Sequence, residues 1–428
     1  MKIFELNKLS KVEIASLAKR PAIDFSKAFG VVKPMLEDIK RNGLSSALAY
    51  AKQFDNFSGE NILVSEDEFS SAEKNLSSEI KSAILTAANN IRAFHEKQTP
   101  KAYEVETMQG VICSREFRAI ENVGLYIPGG SAILPSTMLM LGIPASIAGC
   151  KRVVACSPAK DGKISDVLLF AAKICGVKEF YKLGGAQAIA LMAFGCKEVG
   201  KVDKIFGPGN QFVTAAKLLT SIDIEGCAID MPAGPSEVLV IADDNANAAF
   251  VASDLLSQAE HGTDSQVVLL AFSTTFAESV VVEVEKQLHD LPRKDIASQS
   301  LNNSFILICD NHDEAISFSN NYAPEHLILH LENAESYKDI ITNAGSVFLG
   351  AYSPESVGDY ASGTNHSLPT YGYAKSFSGG SVESFMKSIT FQQLTKEGLK
   401  CIAPTVTILA ETEMLSAHKN AVTIRLKQ

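Results

Sequence analysis

The alternation of strand-like and helix-like segments that begins near Gly110 is the feature that most restricts how this chain can fold. In a first block we predict, in chain order, strands and helices at 111–113, 123–127, 152–156, 165–175, 178–181, 186–194, 204–206 and 211–219. A second block follows at 237–241, 247–260, 266–271, 276–288, 304–309, 313–320, 326–329, 334–342 and 346–349. Strands that alternate with helices indicate βαβ units and parallel sheets. The sequence therefore predicts an α/β protein with two doubly wound, Rossmann-like domains.

The two ends of the chain lack this alternation. Residues 1–24 are predicted to form a short helical arm, and apolar residues at helical spacing predict helices over 32–55 and 77–97. We expect 381–428 to be an extended tail with one helix near 401–410. The predicted domains are the arm (1–24), a main α/β domain (25–125 with 236–380), a second α/β domain (126–235) and the tail (381–428).

Composition restricts the possible partners and the compartment. The chain has 428 residues, 46% of them hydrophobic and 21% charged, with a net charge of -10. No cluster of Lys and Arg marks a nucleic-acid surface, and no apolar run approaches the roughly 18 residues that a membrane span needs. The first 20 residues lack the apolar core of a signal peptide. Eight cysteines without a CxxC pair indicate reduced thiols, so we expect a cytoplasmic protein with neither nucleic acid nor membrane as partner.

The segment 345–380 stands apart because it holds seven glycines and seven serines in 36 residues. A loop of this length inside a domain is usually functional or disordered, and its many aromatic and aliphatic residues argue against disorder. It carries two polar side chains suited to chemistry, Asp359 and His366. We expect this segment to contribute to an active site.

Three glycine-rich turns in the first block lie where a strand is predicted to give way to a helix. They are 126–131, 184–187 and 207–210. Glycines there allow backbone N–H groups to approach an anion at a helix N-terminus. Because ligands of open α/β sheets bind at the carboxyl ends of strands, these turns are candidates for nucleotide binding. None of them is a complete GxGxxG, so the nucleotide fingerprint is incomplete.

Candidate metal ligands follow from residue type and spacing. Gln258 and His261 are i and i+3 at the end of a predicted helix, hence on one face. We expect Asp359, His366 and His418 to lie outside regular elements. The other histidines outside the pair described next have ordinary surface or helix settings; they are His95, His289, His312 and His330. A set of Gln, His, Asp and His would suit Zn or Mn and leave positions for substrate.

A carboxylate and an imidazole stand side by side at Glu325 and His326. Histidine titrates near pH 6.5 and can accept a proton at neutral pH, and a neighbouring carboxylate can activate water. The pair is therefore a candidate for general acid–base catalysis, although a surface Glu-His after a proline is a common arrangement without function.

The motifs that carry these residues resemble those of the histidinol dehydrogenase family. They are GLYIPGGSA, GGAQAIAL, KVDKIFGPGN, AGPSEVLVIAD, DLLSQAEHG, NYAPEHL and the 345–380 segment. The resemblance extends from about residue 30 to the end of the chain. It implies a zinc-containing homodimer that oxidises L-histidinol through L-histidinaldehyde to L-histidine with two molecules of NAD.

The resemblance also implies a role for individual residues. It places the acid–base pair on Glu325 and His326. The implied zinc ligands are Gln258, His261, Asp359 and His418. NAD contacts are implied at Tyr126, Gln187 and Asn210. Substrate contacts are implied at Ser236, Gln258, His261, His326, Asp359, His366, Glu413 and His418. The family's habit of sending its C-terminal tail into the partner subunit implies shared active sites.

Three other functions are compatible with parts of the pattern. A related dehydrogenase could oxidise another amino or hydroxy alcohol with NAD and zinc. A thiol-dependent aldehyde dehydrogenase would use Cys113 or Cys150 as nucleophile, although neither has a neighbouring histidine. A non-catalytic zinc-binding or scaffold protein would leave the Glu325-His326 pair without a purpose.

Overall fold

The computed structural model describes residues 1–20, 25–57, 59, 61–129, 133–232 and 234–427. The strands are β1 (Lys2–Glu5), β2 (Tyr103–Met108), β3 (Val111–Ala119), β4 (Asn122–Tyr126), β5 (Arg152–Cys156), β6 (Glu179–Tyr181), β7 (Lys204–Phe206), β8 (Ala228–Ile229), β9 (Glu237–Ala242), β10 (Gln266–Ala271), β11 (Phe305–Ile308), β12 (His326–His330), β13 (Ser346–Leu349) and β14 (Met386–Leu394). The helices are α1 (Lys11–Leu17), α2 (Phe25–Asn42), α3 (Leu44–Asp55), α4 (Glu66–Asn75), α5 (Ser78–His95), α6 (Pro135–Ala148), α7 (Asp166–Ile174), α8 (Gly185–Phe194), α9 (Gln211–Ile222), α10 (Ala248–Ala259), α11 (Thr274–Asp290), α12 (Lys294–Asn302), α13 (His312–Tyr322), α14 (Glu355–Tyr360), α15 (Lys396–Thr412) and α16 (Ser416–Leu426).

Two parallel sheets organise the chain, which confirms the predicted α/β class. One sheet has six strands in the order β1-β11-β10-β9-β12-β13, and the other has five in the order β6-β5-β4-β7-β8. In each sheet the chain winds outward from one strand, β9 or β4, first to one side and then to the other. Both sheets are therefore doubly wound, as the alternation predicted. The central strands are fully buried, as expected for parallel strands covered by helices on both faces.

The five-stranded sheet is covered by more helices than its own βαβ units supply. Helices α2 and α3 share a hydrophobic core with α8 and α9 on one face. On the other face α4 and α5 pack against α6 and α7. The sequence-based division assigned residues 25–125 to the same domain as 236–380, whereas the helices of this range pack on the sheet of 126–235. Helical spacing shows which face of a helix is apolar and contains no information about which sheet that face covers.

The N-terminal arm is not simply helical, and this part of the prediction is wrong. Its first strand, β1, joins the edge of the six-stranded sheet beside β11, and α1 begins only after a capping box at Ser10 and Glu13. Residues 21–24 of the predicted arm lie outside the described residues. The arm is thus anchored by backbone hydrogen bonds to the main sheet.

The C-terminal segment is also more ordered than the predicted extended tail. Strand β14 pairs antiparallel with β3, which pairs with β2, and these three form a separate sheet. After it come two helices, α15 and α16, which pack extensively on each other. Within the described residues, the further packing of α15 is on β14, and neither helix packs extensively on the two large sheets. The end of the chain therefore packs little on the two large sheets.

No helix in the described part of the chain is long and apolar enough to cross a membrane.

Candidate functional site

The acid–base candidates lie at the amino edge of the six-stranded sheet. His326 is the first residue of β12, and Glu325 immediately precedes it. The neighbouring strand β9 begins at Glu237, and in the parallel register His326 lies opposite Val238. This is the opposite edge from the one at which α/β sheets usually bind ligands. Glu325 and His326 are nevertheless buried, with exposed fractions of 6% and 4%.

His326 is surrounded by carboxylates. Its Nε2 lies 3.5 Å from Asp359 Oδ1, while its Nδ1 lies 3.7 Å from Glu325 Oε2 and 3.9 Å from Glu355 Oε2. Nδ1 is also 3.2 Å from the carbonyl oxygen of Glu237. Burial disfavours the imidazolium, but the nearby carboxylates outweigh it and raise the pKa of His326 to about 10. Among the described residues, Nε2 of His326 has no hydrogen-bond partner.

Glu325 is held by reciprocal hydrogen bonds with Glu237. The backbone N–H of Glu237 donates to Glu325 Oε2 over 2.9 Å, and the backbone N–H of Glu325 donates to Glu237 Oε1 over 3.3 Å. Burial raises the pKa of Glu325 to about 8, despite the opposing influence of His326. A carboxyl group that titrates near neutral pH is suited to take up and release a proton.

Gln258 and Asp359 approach this pair from two helices. Gln258 is fully buried in the last turn of α10. With its amide oriented so that both ends are satisfied, the nitrogen donates to the carboxylate of Glu355 over 3.0 and 3.2 Å, and the oxygen accepts from Glu237 N over 3.2 Å. Asp359 lies in α14, not outside the regular elements as predicted. His326 keeps the pKa of Asp359 below its ordinary value although burial alone would raise it.

His261 and His366 complete this group within one chain. The charge of Asp359 acts on both imidazoles, which places the three side chains in one neighbourhood. His366 Nδ1 is 2.8 Å from the backbone oxygen of Asp359, and its Nε2 is 3.0 Å from Thr137 Oγ1. Burial lowers the pKa of His366. Ser236 lies beside Glu237, and its backbone oxygen accepts a hydrogen bond from Gln266 N over 3.2 Å.

Two residues that the sequence assigned to this site are not brought to it within the chain. Glu413 follows α15 and His418 lies in α16, so the prediction that His418 falls outside regular elements is wrong. Both side chains are exposed. Helices α15 and α16 pack on each other and α15 also packs on β14, while neither packs extensively on the two large sheets.

The structure also corrects the predicted settings of two histidines that the sequence analysis treated as ordinary. His95 is fully buried: Nδ1 contacts the Ile91 carbonyl oxygen at 2.8 Å, and Nε2 lies 3.2 Å from the Asn365 side-chain nitrogen. His330 is buried as well, with Nε2 2.7 Å from Asp254 Oδ2. His95 does lie in a helix, as the last residue of α5, but it is buried there, whereas His330 lies in β12. The pattern of neighbouring residues does not reveal which long-range partner covers a side chain.

The three glycine turns lie at the carboxyl edge of the five-stranded sheet, after β4, β6 and β7. Tyr126 ends β4, and its hydroxyl accepts a hydrogen bond from Gly185 N over 3.0 Å. Gln187 in the first turn of α8 donates to Asp55 Oδ2 over 2.7 Å, and Asn210 caps α9. Gly207 requires its glycine, since φ is +122° and a Cβ would lie 2.1 Å from the Tyr126 carbonyl oxygen. Residues 130 and 131 of the first turn, residue 132 directly after it and Ala233 of a later motif lie outside the described residues.

Several residues of the acid–base site were missed from the sequence. Glu237 follows Ser236 directly, and Glu355 lies four residues before Asp359 on one helical face. The spacing of Glu355 and Asp359 would have been informative had a helix been predicted there. Arg20 contacts Glu237 and Thr137 contacts His366, but nothing in the sequence around Arg20 or Thr137 indicates a role in the site.

A metal site is not complete in the single chain. Among the described residues, no three His, Cys, Asp or Glu side chains are arranged to hold a metal ion. The donor chemistry nevertheless fits a divalent cation such as zinc, because an amide, an imidazole and a carboxylate lie in the same buried neighbourhood as His326.

Together the two parallel α/β sheets and the buried Glu-His pair define an α/β protein with a candidate acid–base catalytic site. A family model described as histidinol dehydrogenase matches residues 18–426. Histidinol dehydrogenase of Photobacterium profundum is 50% identical over 100% of this chain and 96% of its own length, and the chloroplastic enzyme of Arabidopsis thaliana is 52% identical over 100% and 92%. The chain belongs to the histidinol dehydrogenase family, a family of NAD-dependent oxidoreductases of histidine biosynthesis.

A solved structure agrees with this membership. The crystal structure of histidinol dehydrogenase from Elizabethkingia anophelis has a TM-score of 0.96 and 51% sequence identity. The match covers 100% of this chain and 98% of that one. The fold described above is therefore the fold of the family.

Proposed function

We propose that this chain oxidises L-histidinol through L-histidinaldehyde to L-histidine with two molecules of NAD and one zinc ion per subunit, as the last steps of histidine biosynthesis. The observation that carries the proposal is the buried pair of Glu325 and His326 beside Asp359 and Gln258. Family membership supports this choice of reaction, and the geometry of the site provides groups that can catalyse it.

The residues that would hold the zinc are Gln258, His261 and Asp359 of one chain and His418 of a second copy. The exposed position of His418 and Glu413, in a segment that packs little on the two large sheets, supports a homodimer with shared sites. When bound, zinc would orient the substrate by binding the nitrogen atoms of the substrate, and NAD would accept the hydride. Tyr126, Gln187 and Asn210 would contact the NAD.

The proton transfers follow from the two residues of the pair. A zinc ion on Asp359 would offset part of the carboxylate charge that raises the pKa of His326 and so favour its neutral form. Nε2 of the neutral imidazole would then accept the hydroxyl proton of the alcohol in the first oxidation. Glu325 would activate the water that adds to the aldehyde. His326 would accept a second proton in the oxidation that yields the carboxylate. Ser236, His366 and the partner's Glu413 would contact the substrate.

Features at the carboxyl edge of the five-stranded sheet support the proposal that NAD binds there. The N-cap residue of α8, Gly184, makes no side-chain cap, and Gly185 N donates to the Tyr126 hydroxyl, so the amides that follow Gly185 are the candidate donors to a phosphate. Gly185 has φ +64°, which favours glycine at the start of this helix. Asp55 lies next to Gln187 at the same edge.

The site argues against two alternatives. Cys150 is partly buried, and burial raises its pKa to about 11, the opposite of what a catalytic thiolate requires. A scaffold protein would have no use for two buried carboxyl groups beside an imidazole. All eight cysteines are free thiols, which supports our proposal of a cytoplasmic enzyme.

The test is to follow NADH absorbance with L-histidinol as substrate, before and after a chelator and after zinc is returned. We expect two NADH per histidinol, loss of activity on chelation and recovery with zinc. A related dehydrogenase of another amino or hydroxy alcohol is the second candidate, and it would reduce NAD with such an alcohol but not with histidinol. Activity that survives complete metal removal would contradict the zinc-dependent mechanism.

A further inference from the structure

Arg20, at the end of the N-terminal arm, forms a buried ion pair with Glu237. Its Nε donates to Glu237 Oε2 over 2.7 Å and its Nη2 donates to Oε1 over 2.5 Å. The side chains of Arg20 and Glu237 are only 7% and 2% exposed. Two parallel hydrogen bonds from one guanidinium fix both the position and the orientation of a carboxylate. Glu237 is therefore held rigidly at the amino end of β9.

The same guanidinium also holds the turn that leads into the acid–base pair. It lies 3.5 Å from the centroid of the Tyr322 ring. It donates to the carbonyl oxygen of Tyr322 and, over 3.2 Å, to that of Ala323. Ala323 has a left-handed backbone with φ +54°, an uncommon conformation for a residue other than glycine. Arg20 thus stabilises a strained turn two residues before Glu325.

Glu237 in turn contacts both members of the pair. The backbone N–H of Glu237 donates to the carboxylate of Glu325, and the carboxylate of Glu237 accepts from the backbone N–H of Glu325. The backbone oxygen of Glu237 lies 3.2 Å from His326 Nδ1. Because Nδ1 is occupied by this carbonyl oxygen, Nε2 is the nitrogen of His326 that is turned toward Asp359 and left to exchange a proton with substrate. The ion pair and the acid–base pair are therefore one continuous network.

We propose that Arg20 and Glu237 are positioning residues that hold Glu325 and His326 in their catalytic geometry, so that the N-terminal arm is part of the catalytic apparatus. This inference rests on the proposed function. Stability alone explains the arrangement poorly, because replacing a buried ion pair with apolar residues is often neutral or stabilising. A displacement of catalytic groups by about 1 Å, in contrast, can reduce a rate by on the order of 100-fold.

The experiment compares Arg20→Met with Lys19→Met in the full chain, by steady-state kinetics with histidinol, zinc content and thermal unfolding. Lys19 is the adjacent, exposed cation of the same arm, so its substitution controls for the lost charge. We expect Arg20→Met to lower kcat at least about tenfold with KM for histidinol and zinc content nearly unchanged. Lys19→Met should match the unsubstituted chain.

A second comparison separates positioning from stability. Arg20→Met leaves Glu237 charged and unpaired, and the double variant Arg20→Met/Glu237→Gln removes that charge. We expect the double variant to recover thermal stability while kcat stays low, because the turn at Tyr322 and Ala323 remains unsupported. Arg20→Lys, which retains the cation without the two-pronged contact, takes the place of Arg20→Met if the latter does not fold, with the same expected loss of kcat.

The outcomes distinguish this inference from the proposed function. An unsubstituted chain that forms no NADH with histidinol overturns both. An active unsubstituted chain whose Arg20 variants keep the kcat of Lys19→Met overturns the positioning role alone. Recovery of kcat in step with stability in the double variant also overturns it, because Arg20 would then act only on folding.

Discussion

The hydroxyl of Thr137 lies 3.0 Å from Nε2 of His366 and joins the two α/β units beside the candidate active site. Thr137 belongs to α6, which follows the glycine turn after β4, whereas His366 lies in the long segment after β13. Nδ1 of the same imidazole contacts the backbone oxygen of Asp359. The orientation of His366 is thus determined from both sides, by the unit proposed to bind NAD and by the unit that carries the acid–base pair.

Thr137→Val removes this hydrogen bond while keeping nearly the same side-chain shape. If His366 contacts substrate, as proposed, its ring should lose orientation and substrate binding should weaken. The loss of one hydrogen bond, about 1 kcal/mol, corresponds to about a fivefold higher KM for histidinol. Steady-state kinetics measures this, with Thr86→Val on the exposed side of α5 as the control. An unchanged KM would show that Thr137 does not orient a substrate-binding histidine.

Substitution of the two members of the acid–base pair should separate the two oxidations. Glu325→Gln keeps an oxygen that can accept the hydrogen bond from Glu237 N, so the site should retain its shape while it loses the group that activates water. We expect it to impair oxidation of the aldehyde much more than oxidation of histidinol. His326→Asn should retain zinc and lose the first oxidation. Rates are measured separately with histidinol and with histidinaldehyde.

The assignment of the pair would be wrong if either variant catalysed both oxidations at the rate of the unsubstituted chain. Measurement of bound zinc in both variants is the control, because a metal-free site would lose both oxidations for another reason. Lys338→Gln, at a surface position where the lysine side chain is 55% exposed, provides a variant that should leave both rates unchanged.

The sequence was most informative for the buried strands. The predicted bounds of β5, β7 and β10 coincide with those of the structure, because strands covered on both faces are mostly apolar runs. The bounds of β13, a partly exposed edge strand, coincide as well. It was least informative for α14, whose six residues include Gly358 and have little helical propensity. Strand β14 was missed because most of its side chains are exposed and no apolar run marks it.

The candidate site shows the same division between local and long-range information. Gln258 and His261 could be paired from their spacing on one helix, and Glu325 and His326 are adjacent in the chain. Arg20, in contrast, meets Glu237 across 217 residues of sequence. Contacts of this kind depend on where the folded arm passes, which a single sequence without the fold does not specify.

His95 should make the stability of the chain depend on pH. Nε2 lies within hydrogen-bonding distance of the Asn365 amide nitrogen, and burial lowers the pKa of His95 below 6.5, so the folded state keeps it neutral. As pH falls through 6.5, the unfolded chain takes up a proton at this site before the folded chain does. Stability is therefore lost as pH falls below 6.5, by up to about 1.4 kcal/mol per pH unit.

Unfolding in denaturant at several pH values between 7.5 and 5 tests this contribution. His95→Gln should be less stable at pH 7.5, since buried hydrogen bonds are lost, yet its stability should fall less steeply on acidification than that of the unsubstituted chain. His289→Gln is the matched control, because the His289 side chain is 84% exposed. Parallel pH profiles for His95→Gln and the unsubstituted chain would mean that His95 is not held neutral by the fold.

Mixed dimers test whether the C-terminal helices complete the partner's site. His418 lies on α16, which packs little on the large sheets of its own subunit, while Asp359 lies beside His326. Asp359→Asn and His418→Asn subunits should each be inactive alone, because either change removes a proposed zinc ligand. If each site combines Asp359 of one subunit with His418 of the other, one site of the heterodimer has both residues unchanged and the other site carries both substitutions. Random mixing should then restore about one quarter of the unsubstituted activity.

A second mixture provides the control for subunit exchange. Asp359 and Gln258 are both proposed to act in the site of their own subunit. A heterodimer of Asp359→Asn with Gln258→Ala therefore carries one substitution in each of its two sites, and the mixture should stay inactive. Activity is measured after co-refolding, with zinc content determined on the separated heterodimer. If the Asp359→Asn and His418→Asn mixture also stays inactive although heterodimers form, His418 acts within its own chain. The isolated position of α16 in the subunit would then have to change on dimer formation or metal binding.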